Sequence, residues 1–210
     1  MNSGMRRIFT FFHSGTPEIL LPTPPGYSEY KQLGKSGGLP RMIGIQAEHA
    51  APIFHRRVIE KPETIASAIR IGNPASWEAA QRAIDDSGGA VEIVTDREIL
   101  EAQSWLAQTE GIFVEPASAA PIAGLFRFAR EKRRDLIPKD ATVVCTCTGH
   151  GLKDPEIVSA KFSETAPVAP NIEAVRRSDH TQLTGSRQHR KASSGVPLQL
   201  LSNTAISRCA

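Results

Sequence analysis

The chain has 210 residues and 22.8 kDa, the length of one domain with or without a tail. Hydrophobic residues at 40% and charged residues at 22% exclude wholesale disorder, and every apolar run falls short of the roughly 18 residues of a membrane span. Three cysteines cannot staple a secreted scaffold, so a reducing cytoplasm is expected, and the net charge of +3 resides in residues 171–210, where six basic side chains face Glu173 and Asp179.

Residues 1–25 are read as an irregular N-terminal segment. Ile8 to Phe12 is an apolar run behind Arg6 and Arg7, but it stops at His13, too soon for the core of an export signal. Pro17, Pro22, Pro24 and Pro25 interrupt any continuous helix there. Tyr27 to Leu33 has helical character, and Gly34-Lys35-Ser36 ends like a phosphate loop, yet Glu29 stands where that loop needs glycine.

Met42 to Ala47 is a short apolar run expected to be a buried strand. Pro62 to Ile69 suggests one or two helical turns. Ser76 is placed to cap a helix through Trp77, Ala80, Ala83 and Ile84 that stops at Gly88-Gly89. Val91 to Val94 is the next strand, and Thr95 or Asp96 caps a helix carrying Ile99, Leu100, Ala102, Trp105 and Leu106. The small residues Ala117 to Ala120 lead into a helix with Ile122, Leu125, Phe126 and Ala129, and its basic end at Arg130, Lys132, Arg133 and Arg134 suits a helix C-terminus. Thr142 to Cys147 is a β-branched strand ending at Thr148-Gly149-His150-Gly151.

This alternation predicts an α/β fold, a mostly parallel sheet flanked by helices, over residues 26–170. Residues 171–210 are read as a basic, poorly ordered tail. The tail contains no Phe, Trp or Tyr to stack on bases, and the remaining chain is close to neutral, so no nucleic-acid partner is expected, and no membrane partner either.

In parallel sheets ligands sit at the carboxyl ends of strands, which singles out Thr148, Gly149, His150 and Gly151. The plain alternative is a strand-to-helix turn whose glycines serve backbone angles only. Cys145, Cys147 and His150 lack a fourth ligand at a recognised spacing, so no metal site is expected, and the cysteines are read as buried small hydrophobes. Ser118 lacks nucleophile-elbow glycines and is read as a helix cap.

Four segments together are more specific. Leu39-Pro40-Arg41-Met42-Ile43-Gly44-Ile45-Gln46-Ala47-Glu48, Ile69-Arg70-Ile71-Gly72-Asn73-Pro74-Ala75-Ser76-Trp77, Glu110-Gly111-Ile112-Phe113-Val114-Glu115-Pro116-Ala117-Ser118-Ala119-Ala120 and Thr148-Gly149-His150-Gly151-Leu152-Lys153-Asp154-Pro155 resemble, in order and spacing, the C-terminal half of threonine synthase. The resemblance covers about residues 26 to 158. It implies part of a tryptophan-synthase β-like domain (the type II fold of pyridoxal-phosphate enzymes) and a carbon–oxygen lyase that turns O-phospho-L-homoserine and water into L-threonine and phosphate. It also implies that Thr148 hydrogen-bonds the pyridine nitrogen of pyridoxal 5′-phosphate, that Gly149, His150 and Gly151 form the surrounding wall, and that Glu115 and Ser118 support the same pocket.

The departures are equally specific. The family's Schiff-base lysine lies in a Ser-Phe-Lys-Asp-like segment, and no lysine from Lys31 to Lys191 stands in such a context, so no catalytic residue is assigned within this chain. Where the family has a glycine-rich phosphate loop, this sequence has Leu21-Pro22-Thr23-Pro24-Pro25, and His49 replaces a usual glycine. The expectation is a truncated threonine synthase, inactive alone and doubtful as a cofactor binder by itself. The alternative is a non-catalytic remnant that binds a partner such as a separate N-terminal half, and a homo-oligomer is a further possibility.

Overall fold

The computed structural model describes residues 8–13, 23–138, 141–159, 167–174, 176 and 204–208. Among these, five strands form one sheet: β1 (Ile8–His13), β2 (Arg41–Ala47), β3 (Ala90–Val94), β4 (Thr142–Cys147) and β5 (Thr204–Arg208). Their order is β3-β2-β1-β4-β5 and every pairing is parallel. In the middle strand Phe9 lies opposite Arg41 on one side and Val143 on the other. The helices are α1 (Thr23–Gln32), α2 (Pro52–His55), α3 (Trp77–Asp86), α4 (Asp96–Trp105), α5 (Pro116–Arg130) and α6 (Pro155–Ser159).

Parallel strands need long crossovers, and helices supply them. β2 is covered on both faces, so Met42, Ile43, Ile45 and Ala47 are all buried and the strand reads as a continuous apolar run rather than an alternation. α5 packs against β1, β2, β3 and β4. Every residue from Pro116 to Phe126 is buried, and most are small, which lets the helix come close to the sheet. At Gly124 a Cβ would run into the Ile45 side chain. Trp105 of α4 meets Phe126 of α5 edge to face, with ring centroids 5.0 Å apart.

α4 begins with a capping box. The Thr95 hydroxyl accepts the Glu98 N–H at 3.2 Å, while the Thr95 N–H donates to Glu98 Oε2 at 2.9 Å. Glu98 Oε1 also accepts from Arg130 Nη2 at 2.6 Å, so the start of α4 is tied to the end of α5. Asp96 has a different task. Its carboxylate accepts the Thr64 hydroxyl at 2.5 Å and the Ile65 N–H at 3.1 Å. These bonds hold residues 64 and 65 in a loop, so of the turns expected over Pro62 to Ile69 only Ser67–Ile69 is helical. Ser76 stands at the N-cap of α3 but makes no side-chain cap bond.

Three elements depart from the sequence reading of the flanks. β1 occupies the centre of the sheet although residues 1–25 were expected to be irregular. α1 starts at Thr23 despite two prolines, because Pro24 and Pro25 fall in the first turn, where a missing N–H breaks no helical bond. β5 pairs with β4 inside the segment expected to be a basic, poorly ordered tail, most of which lies outside the described residues.

Two outcomes follow from these contacts. Thr95→Ala should cost about 1 kcal/mol in urea unfolding, the usual value of a lost cap, whereas Ser76→Ala should stay within roughly 0.5 kcal/mol of the parent. Burial, reinforced by neighbouring Cys147, pushes the Cys145 thiol well above its ordinary pKa, so it remains protonated at pH 8. Peptide mapping after iodoacetamide treatment should find Cys145 unmodified in the native chain and modified in urea.

Candidate functional site

From β1 the chain builds outward through β2 to β3, then returns to the other side of β1 for β4 and β5. The strand order therefore switches direction between β1 and β4. Such a switch point opens a crevice in which ligands of parallel sheets bind. Thr148, the first residue beyond β4, stands at its edge. Of the Leu21 to Pro25 stretch, Leu21 and Pro22 lie outside the described residues, and the remainder is the first turn of α1.

The turn after β4 is strapped to the segment entering α5. The Glu115 N–H donates to the Gly149 carbonyl at 3.0 Å and the Gly151 N–H to the Phe113 carbonyl at 3.2 Å, with Val114 and His150 forming an antiparallel bridge between them. A Cβ on Gly149 would fall on the Glu115 carboxylate, and one on Gly151 would fall on the Phe113 ring. Packing behind the turn thus requires both glycines. Alternation leaves Gly149 and Gly151 buried while Thr148 and His150 face outward. His150 Nδ1 accepts the Leu152 N–H at 3.2 Å, which places the proton of the neutral ring on Nε2, and the ring stands edge-on to Phe113.

Behind Thr148 lies Ser118, fully buried. Its Oγ accepts the Thr148 N–H at 3.1 Å and the Gly149 N–H at 2.8 Å, and lies 3.1 Å from Thr148 Oγ1 and 3.4 Å from Glu115 Oε1. Glu115 is itself 3% exposed, and its charge is met by Lys153 Nζ at 3.8 Å. Ser118 is therefore not the cap of α5: Glu115 holds that position, and the serine hydroxyl reaches out to the strand turn instead. The Ser67 hydroxyl is 2.8 and 3.0 Å from the two Asp154 carboxylate oxygens, which brings the Ser67–Ile69 turn against the same loop. Cys145 and Cys147 are buried in the core, whereas His150 is exposed beyond the strand, so the three do not converge.

Gly149→Ala should destabilise the chain by about 1–3 kcal/mol through overpacking against Glu115. Shortening that carboxylate removes the obstacle, so Gly149→Ala combined with Glu115→Ala should lose clearly less than the sum of the two single changes in urea unfolding.

Residues 26–149 match the family of pyridoxal-phosphate dependent enzymes. The chain is 48% identical over 154 residues to a threonine synthase of Synechocystis, covering 72% of this chain and 39% of that one. It is 51% identical over 148 residues to one from Halalkalibacterium halodurans, covering 70% and 41%. The chain thus spans about two fifths of the length of these curated relatives. Among solved structures, O-ureido-L-serine synthase with O-ureido-L-serine bound superposes with a TM-score of 0.60 at 13% identity, covering 88% of this chain and 48% of that one. Maize serine racemase superposes with a TM-score of 0.52 at 16% identity, covering 74% and 47%. With a parallel sheet flanked by helices and a switch point beside Thr148, the chain has part of the type II fold and belongs to the family of pyridoxal-phosphate dependent enzymes, with threonine synthases as its relatives.

Proposed function

We propose that this chain supplies the ring-facing part of a threonine-synthase active site, which converts O-phospho-L-homoserine and water into L-threonine and phosphate in the cytoplasm. The observation that carries the reading is Thr148, a hydroxyl at the carboxyl end of β4 beside the switch point, in a chain about half identical to threonine synthases over that region. Its residues suit pyridoxal phosphate: the ring nitrogen is an acceptor, and Thr148 brings an exposed hydroxyl, 3.1 Å from the buried Ser118 hydroxyl, to the end of β4. When bound, that cofactor supplies an electron sink for the substrate's carbon skeleton. A hydroxyl, unlike a carboxylate, meets the ring without favouring its protonation. His150 adds an Nε2 donor at the mouth of the site, and Glu115 with Gly149 closes the back of the turn.

The lysine that holds the cofactor comes, in this reading, from outside these 210 residues, either from another segment of a longer chain or from a separate polypeptide. The 26–170 domain then docks with that part.

The test pairs the chain with a polypeptide carrying the lysine-bearing segment of a threonine synthase. Phosphate release and threonine formation should require both parts, and borohydride reduction should fix cofactor on the supplied lysine and on none of this chain. Thr148→Val keeps the shape and removes the donor, so turnover or cofactor affinity of the pair should fall roughly threefold to tenfold, as about 1 kcal/mol implies. A single stoichiometric modified lysine in this chain, with turnover, overturns the lysine assignment. Equal turnover by Thr148→Val overturns the ring contact, and a stable pair without turnover favours a non-catalytic, partner-binding remnant.

A further inference from the structure

At the amino end of the sheet a slot of about 80 Å³ opens between α1, α3 and the start of β2. Its lining includes Tyr27 of α1, Leu39 and Met42 from the entry to β2, and Ala83, Asp86 and Ser87 from the end of α3. It borders the small core cluster of Met42, Ile53, Ala80 and Ile84, against which Tyr27 and Ala83 pack. Atoms that face a gap lack contacts on that side, so an apolar group entering it gains them. The volume is about half of the roughly 150 Å³ that holds a benzene ring, which suits a stem of about three or four carbons.

One charge borders this apolar space. Asp86 is the only acidic or basic side chain along the slot, and no hydrogen bond or ion pair reaches its carboxylate from any described residue. Its neighbour Ser87 is spent internally, donating to the Ile84 carbonyl at 2.9 Å and accepting the Met42 N–H at 3.1 Å. Arg41, beside Met42, gives its guanidinium to the Gly88 and Asp135 carbonyls. Asp86 also stands where a helix least tolerates it. α3 ends in Asp85 and Asp86 with no basic residue in its last turn, so both carboxylates meet the negative end of the helix dipole. Asp85 accepts from Gln81 Nε2 at 3.0 Å, and Asp86 has no such donor among the described residues. A cation seated at Asp86 relieves that repulsion.

We propose that this slot is a second ligand site that takes a small organic cation: a primary ammonium on an unbranched chain of about three or four carbons, its stem against Leu39, Met42 and Ala83 and its head at Asp86. Charge complementarity sets the head, and volume sets the stem. Met42 lies at the start of β2 and Thr148 beyond the end of β4, so the slot is at the opposite end of the parallel strands and does not depend on the reaction assigned to the chain.

Nuclear magnetic resonance of the isotope-labelled full chain, titrated with n-butylammonium chloride against sodium chloride at equal ionic strength, reads the binding through backbone amide shifts. The amides of Met42, Ala83 and Ser87 should move along a saturable curve while that of Gly149 stays still. n-Propylammonium should bind about fourfold more weakly, the factor that one buried methylene implies. Butyrate carries a similar stem with the opposite charge and should cause no saturable shift.

Asp86→Asn keeps the shape and removes the charge, so n-butylammonium should bind it about twofold to fivefold more weakly. The same change takes a carboxylate away from a helix C-terminus, so the unliganded variant should be at least as stable as the parent, which separates loss of ligand from loss of fold. Ala83→Val narrows the slot and should abolish binding, and if that variant does not fold, Asp86→Asn decides alone. Shifts that rise without saturating, or an equal response to butyrate, mean an adventitious additive only and overturn the proposal. Unchanged affinity in folded Asp86→Asn overturns it as well.

Discussion

The fixed relation between the start of α5 and the end of β4 is the constraint on which the site depends. α5 is buried on every side along Pro116 to Phe126, and a buried polar group there must be satisfied. Ser118 meets this demand outside its own helix by accepting two amides of the strand turn, and the backbone bonds from Glu115 and Gly151 close the same joint. The turn thus inherits the rigidity of the core helix. Small residues make this possible: Gly149 and Gly151 let the Glu115 carboxylate and the Phe113 ring approach the backbone, and the alanines let α5 approach the sheet.

The opposite end of α5 is held by charge. Glu98, whose side chain is 12% exposed, accepts from Thr95 and Arg130, and Arg127 lies 3.8 Å from it. Arg127 also donates to the Ile93 carbonyl at 2.8 Å and pairs with Glu131. The hydrogen bond to Glu131, with the charges of Glu98 and Glu92 adding to it, raises the Arg127 pKa further. Because the arginines are one third or more exposed, each pair contributes modestly to stability. Their geometric effect is larger than their energy. They tie the end of α5 to the start of α4 and to β3.

Local chemistry explains which parts were legible in the sequence. The β-branched run at Thr142 to Cys147, the cap at Thr95 or Asp96 and the Thr-Gly-His-Gly turn each carry a short-range signal, and each stands where the sequence puts it, with Thr95 rather than Asp96 as the cap. β1 does not carry one, because Ile8 to Phe12 is too short to separate strand from helix and the prolines beyond it resemble a linker. Its central place comes from pairing with β2 and β4, whose partner residues lie far along the chain. Ser118 was missed as a support of the turn amides for a related reason. Serine near a helix start is ordinarily a cap, and the distinguishing signal was its isolation as the polar residue among Pro116, Ala117, Ala119 and Ala120.

The same locality bears on how an active site can be completed from outside these 210 residues. The contacts that Phe113, Glu115 and Ser118 make with the Thr148 turn arise within residues 113–151, and Ser67 joins the loop through Asp154. Its orientation therefore does not wait for the lysine or for phosphate donors to arrive. Charge stabilisation in an active site depends on donors already oriented before reaction, since reorienting them at that moment raises the barrier. A turn whose amides are held by a residue of a buried helix is ordered in advance. In the proposed pairing, the lysine-bearing part brings its groups to a turn already held by Ser118, Glu115 and Gly151, so the cost of association falls on docking rather than on ordering that turn.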